Sequence, residues 1–171
     1  IRPIHIWQSA AAILFLLLAS SVYLSTVGAK AETDLLQQYI PIAEMRSLTL
    51  PDGTKVQLNS KSTLLYPQEF TGDSRSVFLL GEANFKVKPD KKRPFIVKSN
   101  DLQITALGTE FNVSAYPESQ EIATTLISGS IRVDYNNLTT SVILHPNEQF
   151  AYNRNNKKYD LSNPDMDDVT A

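Results

Sequence analysis

Apolar residues follow two different patterns along the chain, and the first is a continuous run. No charged side chain occurs from Ile6 to Ala29, and the centre of this stretch reads AAILFLLLASSVYL. A helix of about 24 residues is roughly 36 Å long, which exceeds the hydrocarbon core of a bilayer, about 30 Å. The run therefore predicts one transmembrane helix over residues 6–29.

The membrane anchor is assigned to the apolar centre of this run and to the aromatic residues near its ends, where such rings favour the membrane–water boundary. Its residues are Trp7, Leu14, Phe15, Leu16, Leu17, Leu18 and Tyr23. A cleaved signal peptide is the alternative, because Ala29-Lys30-Ala31 has a small-x-small cleavage pattern. The weak charge bias favours a cytoplasmic N-terminus. Residues 31–40 could extend the helix by one or two turns before Pro41 ends it.

Beyond Pro41 the pattern changes to short runs in which apolar and polar residues alternate. The first runs are SLTL and KVQL, and Pro51-Asp52-Gly53 nearby supplies the residues of a tight turn. Similar runs recur as far as TSVILHPNEQFAYN. A period of two is typical of half-buried strands, and many short strands are typical of sandwiches, barrels and solenoids. We expect an all-β domain of two facing sheets, either solenoid-like or sandwich-like.

Two glycines interrupt this alternation, and at a third, Gly81, the phase is kept on one face. Apolar residues change from even to odd positions beside Gly108, and a similar change occurs at Gly129. Successive side chains point to opposite faces of a sheet, so a phase change needs an extra residue or a bend. Both glycines are therefore predicted to mark corners where a strand bulges or passes between sheets. Gly81 has the same predicted role in RSVFLLGEANFKV, which is expected to be buried on both faces before this glycine and on one face after it.

Composition gives little support for chemistry. The chain has no Cys and two His, and its net charge is -2. These values exclude disulfides and thiolate metal sites and give no electrostatic case for nucleic-acid binding. No nucleophile, phosphate-binding or calcium-loop motif occurs in the sequence. We accordingly predict no catalytic residue, no cofactor, no metal ion and no enzyme activity.

Charged residues of the alternating segment have two interpretations each. Glu82 is a candidate catalytic carboxylate, but the favoured interpretation is a structural carboxylate that accepts backbone N–H groups at a bulge. Arg75 and Arg93 could bind an anion, although such residues more often pair with acids on a β surface. The KPDKKRPF segment could meet an acidic partner or lipid headgroups, but a solvated turn with protective lysines is favoured.

Six motifs between Leu48 and Tyr152 are individually weak but specific in their order and spacing. They are LPDGTKVQLNSKSTLLYP, RSVFLLGEANFKV, RPFIV, LGTEFNV, TTLISGSIRV and LHPNEQ. Together they resemble the FecR-type family of membrane-bound anti-sigma-factor regulators, in a version common in Bacteroidetes. The structural motif residues are Asp52, Gly53, Arg75, Gly81, Glu82, Phe85, Pro94, Phe95, Gly108, Thr109, Phe111 and Gly129.

The resemblance implies a relay across the inner membrane of a bacterium. A cytoplasmic N-terminal segment outside this chain would hold an extracytoplasmic-function sigma factor. In the periplasm, a further C-terminal domain would contact the signalling domain of an outer-membrane TonB-dependent transporter, and the β domain would serve as spacer and platform. Membrane proteases would then release the sigma factor, with residues 30–47 as the expected stretch for the first cut.

This resemblance and the apolar run together divide the chain into five segments. Residues 1–5 are a cytoplasmic flank, 6–29 the transmembrane helix, 30–47 a juxtamembrane linker, 48–153 the FecR-type periplasmic β domain and 154–171 a linker to a further domain. Two other classes of protein stay open. A membrane-anchored β jelly roll that carries lipid predicts an open apolar groove between its sheets. A β-rich enzyme or carbohydrate-binding module predicts clustered acids or an aromatic row, although Trp7, the only Trp, lies in the apolar run.

Overall fold

The computed structural model describes residues 13–21, 35–41, 44–135 and 137–164. The chain divides into two compact units, Ile1–Thr33 and Asp34–Ala171. In the first unit, residues 13–21 are helical. The five consecutive anchor residues from Leu14 to Leu18 lie in this helix, each at least 59% exposed.

The described helix is shorter than the predicted span. Trp7 and Tyr23, the aromatic residues assigned to its ends, lie outside the described residues. Within the described ranges, no helix combines the length and hydropathy that a membrane crossing requires. The transmembrane helix over residues 6–29 therefore stays a prediction.

The second unit consists of thirteen short strands within the described residues. They are β1 (Leu35–Tyr39), β2 (Arg46–Thr49), β3 (Lys55–Leu58), β4 (Thr63–Pro67), β5 (Arg75–Lys86), β6 (Phe95–Lys98), β7 (Gln103–Ala106), β8 (Glu110–Ala115), β9 (Glu121–Ser128), β10 (Ile131–Tyr135), β11 (Thr140–Leu144), β12 (Gln149–Asn153) and β13 (Tyr159–Ser162). This confirms the prediction of an all-β domain.

The strands form one curled sheet, and β5 belongs to both of its halves. The first half has the order β1-β4-β5-β6-β7-β10-β11, and the second has the order β2-β3-β5-β8-β9-β12-β13. Among the described strands, only the β5–β6 pair is parallel. Beyond β5, hairpins alternate between the halves: β6–β7 in the first, β8–β9 in the second, β10–β11 in the first and β12–β13 in the second.

Both halves bury one face against a shared core. Strand β5 alternates buried and more exposed residues along its full length, which is the pattern expected of a strand with one packed face. Phe85 of the second half packs on Phe95 of the first, with ring centroids 6.0 Å apart. Tyr135 and Phe150 make a similar contact at 5.3 Å. This packing resembles a sandwich, one of the two arrangements that the sequence left open.

Two segments expected to be linkers contain strands. Residues 35–39 form β1, which pairs with β4, and the following Ile40 is fully buried in the core. The prediction that residues 31–40 extend the helix is thus wrong for residues 35–39, which form a strand. In the predicted C-terminal linker, Tyr159–Ser162 form β13 and pair with β12. The physical reason is the same in both cases: a partner strand satisfies the backbone N–H and C=O groups of a short, exposed segment.

Candidate functional site

The Pro51-Asp52-Gly53 turn is held by a buried ion pair. The carboxylate of Asp52 accepts hydrogen bonds from the backbone N–H and the hydroxyl of Thr54, at 3.0 and 2.7 Å. It also accepts a bond of 2.7 Å from the guanidinium of Arg75. The side chains of Asp52 and Arg75 are only 4% and 1% exposed. Arg75 therefore pairs with an acid, as its favoured interpretation held, but the pair lies in the interior instead of on the surface.

Further bonds fix the guanidinium between several turns. Arg75 donates to the carbonyl oxygens of Arg93 and Lys88, both at 2.9 Å. Its backbone N–H donates to the carbonyl of Pro94 at 2.8 Å, and its guanidinium carbon lies 5.5 Å from the centre of the Phe95 ring. These bonds use the Nε and Nη1 donors, and the side chain is only 1% exposed, so Arg75 acts as a structural cross-link that an external anion does not reach.

The aromatic motif residues extend this cluster into the core. Phe85 packs on Phe95 and stacks on Phe111, with ring centroids 6.0 and 5.4 Å apart. All three rings are fully buried. The structure thus brings together seven of the sequence-predicted motif residues, namely Asp52, Gly53, Arg75, Phe85, Pro94, Phe95 and Phe111.

Gly81 is the corner at which β5 changes halves. Residues before it pair with β4 and β6, and residues from Gly81 onward pair with β3 and β8. Its φ is 96°, a conformation that costs an L side chain about 1–2 kcal/mol. A Cβ at this position would lie 2.5 Å from the hydroxyl oxygen of Ser62 and 2.7 Å from its Cα. The predicted corner is confirmed.

Glu82 follows this corner and has side-chain partners different from those expected. Its carboxylate accepts hydrogen bonds from the side-chain amides of Asn112 and Asn59, at 2.9 and 3.4 Å. Its backbone N–H donates to the hydroxyl of Ser62 at 2.8 Å. The prediction that the carboxylate accepts backbone N–H groups is wrong, because these amides from β8 and from the β3–β4 turn reach it instead.

Gly108 and Gly129 occupy the other two corners. Gly108 lies between β7 of the first half and β8 of the second, whereas Gly129 lies between β9 of the second half and β10 of the first. A Cβ on Gly129 would come within 2.6 Å of the Thr109 methyl group, and one on Gly108 within 2.9 Å of the Cα of Pro89. Both predicted corners are confirmed.

The motif residues form clusters whose contacts are structural. Within the described ranges, no three His, Cys, Asp or Glu side chains lie close enough to hold a metal ion. The Arg75 cluster is enclosed, and the Glu82 carboxylate is bound by two asparagine amides. Their contacts hold the β2–β3 hairpin turn together with the β3–β4 and β5–β6 connections, and the last two cross between the halves.

The KPDKKRPF segment is an exposed turn organised by its aspartate. The carboxylate of Asp90 accepts bonds from the backbone N–H groups of Lys92 and Arg93 and from the Arg93 guanidinium. The Lys92 N–H, followed by the Arg93 side chain, holds the pKa of Asp90 below its usual 3.8. Arg93 therefore pairs with an acid at the surface, as its favoured interpretation held.

A feature that sequence reasoning missed lies on the outer face of the first half. The strand was expected to be buried on both faces around Phe78 and Leu80, but these two side chains are 42% and 39% exposed. Together with Leu65 they line a groove, whose cavity volume is about 440 Å³. Its other walls come from the 98–103 segment and from Asn137 and Leu138. The sequence signal was the pair of apolar residues at positions 78 and 80, since the core face is already supplied by Val77 and Leu79.

The polar groups of this outer groove differ in their partners. Lys98 lies 5.4 Å from the centre of the Phe78 ring, and no ion pair joins it to the described residues. Asp101 is paired with Arg154 at 3.3 Å and with Lys157 at 3.6 Å. The groove thus combines an apolar floor with one cation whose charge is not balanced by a carboxylate of the described chain.

Comparisons with known proteins show which family this chain resembles. Residues 40–132 match the family described as FecR protein. Two crystal structures from Parabacteroides distasonis are similar to the structure of this chain, and both are of an inferred anti-sigma factor. Both are 38% identical, with TM-scores of 0.77 and 0.76. The search of curated proteins found no significant match.

The extent of these matches limits which properties can be inferred for this chain. The alignments cover 80% and 79% of this chain but only 63% of each solved chain. This chain therefore spans less than two thirds of the length of its structural neighbours. The family match nevertheless covers more than half of the chain and contains the buried ion pair, all three glycine corners and strands β2 to β9 of the curled sheet. This chain belongs to the FecR family.

Proposed function

We propose that this chain is part of a transmembrane anti-sigma-factor regulator. The observation that carries the proposal is the FecR match over residues 40–132, supported by two solved neighbours assigned as anti-sigma factors. An anti-sigma role requires a sigma factor as partner. The motif residues fit a protein that acts by contact, because their side chains are engaged in fixing turns and corners.

In the proposed relay, the β domain is a periplasmic platform on a single-span anchor. An extracytoplasmic-function sigma factor is held on the cytoplasmic side. The signalling domain of a TonB-dependent transporter is contacted on the periplasmic side, outside the β domain. Crosslinking the full-length protein in its native membranes, followed by identification of the captured partners, tests both contacts. Capture of neither a sigma factor nor a transporter would contradict the relay.

The membrane topology has a direct test, because the chain contains no Cys and single cysteines can be introduced without background. We expect a membrane-impermeant maleimide to label Lys61→Cys in intact spheroplasts and to label Arg2→Cys only after lysis. The proposal is supported by the uncharged stretch from Ile6 to Ala29. Equal labelling of both variants before lysis would contradict a single span in this orientation.

Regulated proteolysis near the membrane is the proposed output. Its expected first cut, in residues 30–47, overlaps β1, whose residues pair with β4 from Leu35 to Tyr39. Proteases bind an extended substrate strand, so a cut inside β1 requires this strand to leave the sheet first. Mapping the new N-termini after induction tests the proposal: termini within 30–47 would support it, and termini only inside later strands would contradict it.

The lipid-carrier alternative predicted an open groove between the sheets. That space is filled by fully buried side chains such as Phe85, Phe111 and Phe150. The apolar groove of this structure lies on the outer face of one half, so the interior does not favour a lipid carrier.

A further inference from the structure

The geometry points to a small-ligand site in the outer groove, and we propose that it binds an amphipathic anion with an aliphatic or aromatic body and a single anionic head. The inference does not depend on the proposed regulator function. It follows from the shape of the groove, from the identity of its floor and from the one unbalanced charge beside it.

The size and floor of the groove favour a small molecule. Its volume of about 440 Å³ lies within the roughly 300–1,000 Å³ of small-ligand sites, which are mostly apolar with a few polar groups. Leu65 and Phe78 are paired across β4 and β5, and Leu80 lies on the same face two residues along. Their side chains leave apolar area in water that a hydrocarbon or ring could cover. A protein partner would need a much larger surface than this groove offers.

Lys98 gives the site its preference for an anion. Its ammonium lies over the Phe78 ring at 5.4 Å, at the border of the apolar floor. The acidic member of the lining, Asp101, is already paired with Arg154 and Lys157. An anionic head beside Lys98 would therefore form an ion pair without displacing an existing one, while the body of the ligand lies along Leu65 and Leu80.

Ser99 also lines the groove, but its hydroxyl oxygen is buried away from the open space and does not face a ligand there. The ammonium of Lys98 therefore provides the recognition of a carboxylate-like head.

The test uses decanoate as probe and the full chain in phosphatidylcholine nanodiscs, with leucine methyl groups labelled for NMR. We expect decanoate to cause saturable shifts at Leu65, Leu80 and Leu138 but not at Leu161, an exposed residue of β13. Lys98→Gln should weaken binding about fivefold, the upper range for a partly exposed ion pair. The matched control Lys55→Gln removes an exposed lysine of β3 in the other half and should leave the affinity unchanged.

Decanol and decyltrimethylammonium distinguish recognition of the anion from apolar adsorption. Both should bind at least about fivefold more weakly than decanoate, because neither can pair with Lys98. Equal binding of decanoate and decanol, or no saturable shift at the groove methyl groups, would overturn the proposal. The proposal would also be overturned if sedimentation showed a dimer that Leu80→Ser abolishes and Ile143→Ser leaves intact, because the groove would then be an interface between two copies.

Discussion

At the residue scale, the buried pair of Arg75 and Asp52 is the most consequential contact. Taking two charges out of water is costly, and the pair is tolerated because Arg75 also donates to two backbone carbonyls while Asp52 accepts from Thr54. The pair joins residues 23 apart in sequence. It ties the turn before β3 to the start of β5 and so fixes how two elements meet.

Loss of Arg75 should therefore destabilise the fold strongly. We expect Arg75→Ala to lower the free energy of unfolding by about 3–5 kcal/mol, because Asp52 is left buried without its partner. Urea unfolding followed by circular dichroism measures the change. The control is Lys86→Ala, which breaks an exposed pair with Glu110 and should cost about 0–1 kcal/mol. Similar losses in both variants would contradict a special role for the buried pair.

The Gly81 corner should be equally intolerant of a side chain. Gly81→Ala combines a φ of 96° with a contact of 2.5 Å to Ser62, so the free energy of unfolding should fall by at least about 2 kcal/mol. The matched control is Gly72→Ala, because no heavy atom outside its chain neighbours lies within 4 Å of a methyl group added at Gly72. Its change should stay within about 0.5 kcal/mol. Equal stability of the two variants would argue against Gly81 as a strained corner.

Sequence reasoning reached these residues unequally. The corners at Gly108 and Gly129 were predictable, because apolar residues change phase beside each glycine, and the corner at Gly81 was predictable because apolar residues on one face of the strand give way to polar ones after it. The partner of Arg75 was not, since nothing local in the sequence connects it with Asp52. The Glu82 partners were missed for the same reason: Asn112 and Asn59 come from other elements and meet the carboxylate only in the folded sheet.

At the element scale, the edge strands β1 and β13 show where pattern reasoning fails. Core strands such as β5 alternate clearly, because one face packs against the other half. All four residues of β13 are exposed, and β1 has no fully buried residue. Their strand conformation comes from pairing with β12 and β4, and an exposed edge leaves little periodic signal in the sequence.

The attachment of β1 should depend on Ile40. This residue is fully buried, and its N–H donates to the carbonyl of Ser62 at 2.9 Å. We expect Ile40→Ala to cost about 2–5 kcal/mol, the usual range for such a core truncation, and to free β1 from the sheet. Limited proteolysis should then cut residues 35–40 faster than in the unchanged chain.

The matched control for this strand is Leu35→Ala, which truncates a residue of β1 that is 52% exposed. Its rate of cleavage in residues 35–40 should match that of the unchanged chain. If both variants were cut at the same rate, Ile40 would not be what retains β1.

The Asp90 turn should weaken in acid. Because the N–H of Lys92 lowers the pKa of Asp90, the turn is stabilised above the ordinary value of 3.8, and this stabilisation is lost as pH falls through the lower folded value. The carboxyl carbon shift of Asp90 should titrate with a midpoint below 3.8, and exchange protection of the Lys92 amide should disappear in the same range. A midpoint at or above 3.8 would contradict the described hydrogen bonds.

At the scale of the whole molecule, the chain builds one core by crossing repeatedly between two halves of a curled sheet. The all-β class and the corners could be predicted, because both leave a signal in the local pattern of apolar and polar residues. The outer groove could not, since it forms where β4, β5 and two loops meet, and its apolar residues looked like core positions.

The most direct test of the central claim is transcription in vitro with the full-length protein and the sigma factor that it captures from its native membranes. We predict that the captured sigma factor directs RNA polymerase to its promoters and that added full-length protein represses this transcription in proportion to the complex formed. If no sigma factor is captured, or if the added protein leaves transcription unchanged, the anti-sigma account is contradicted.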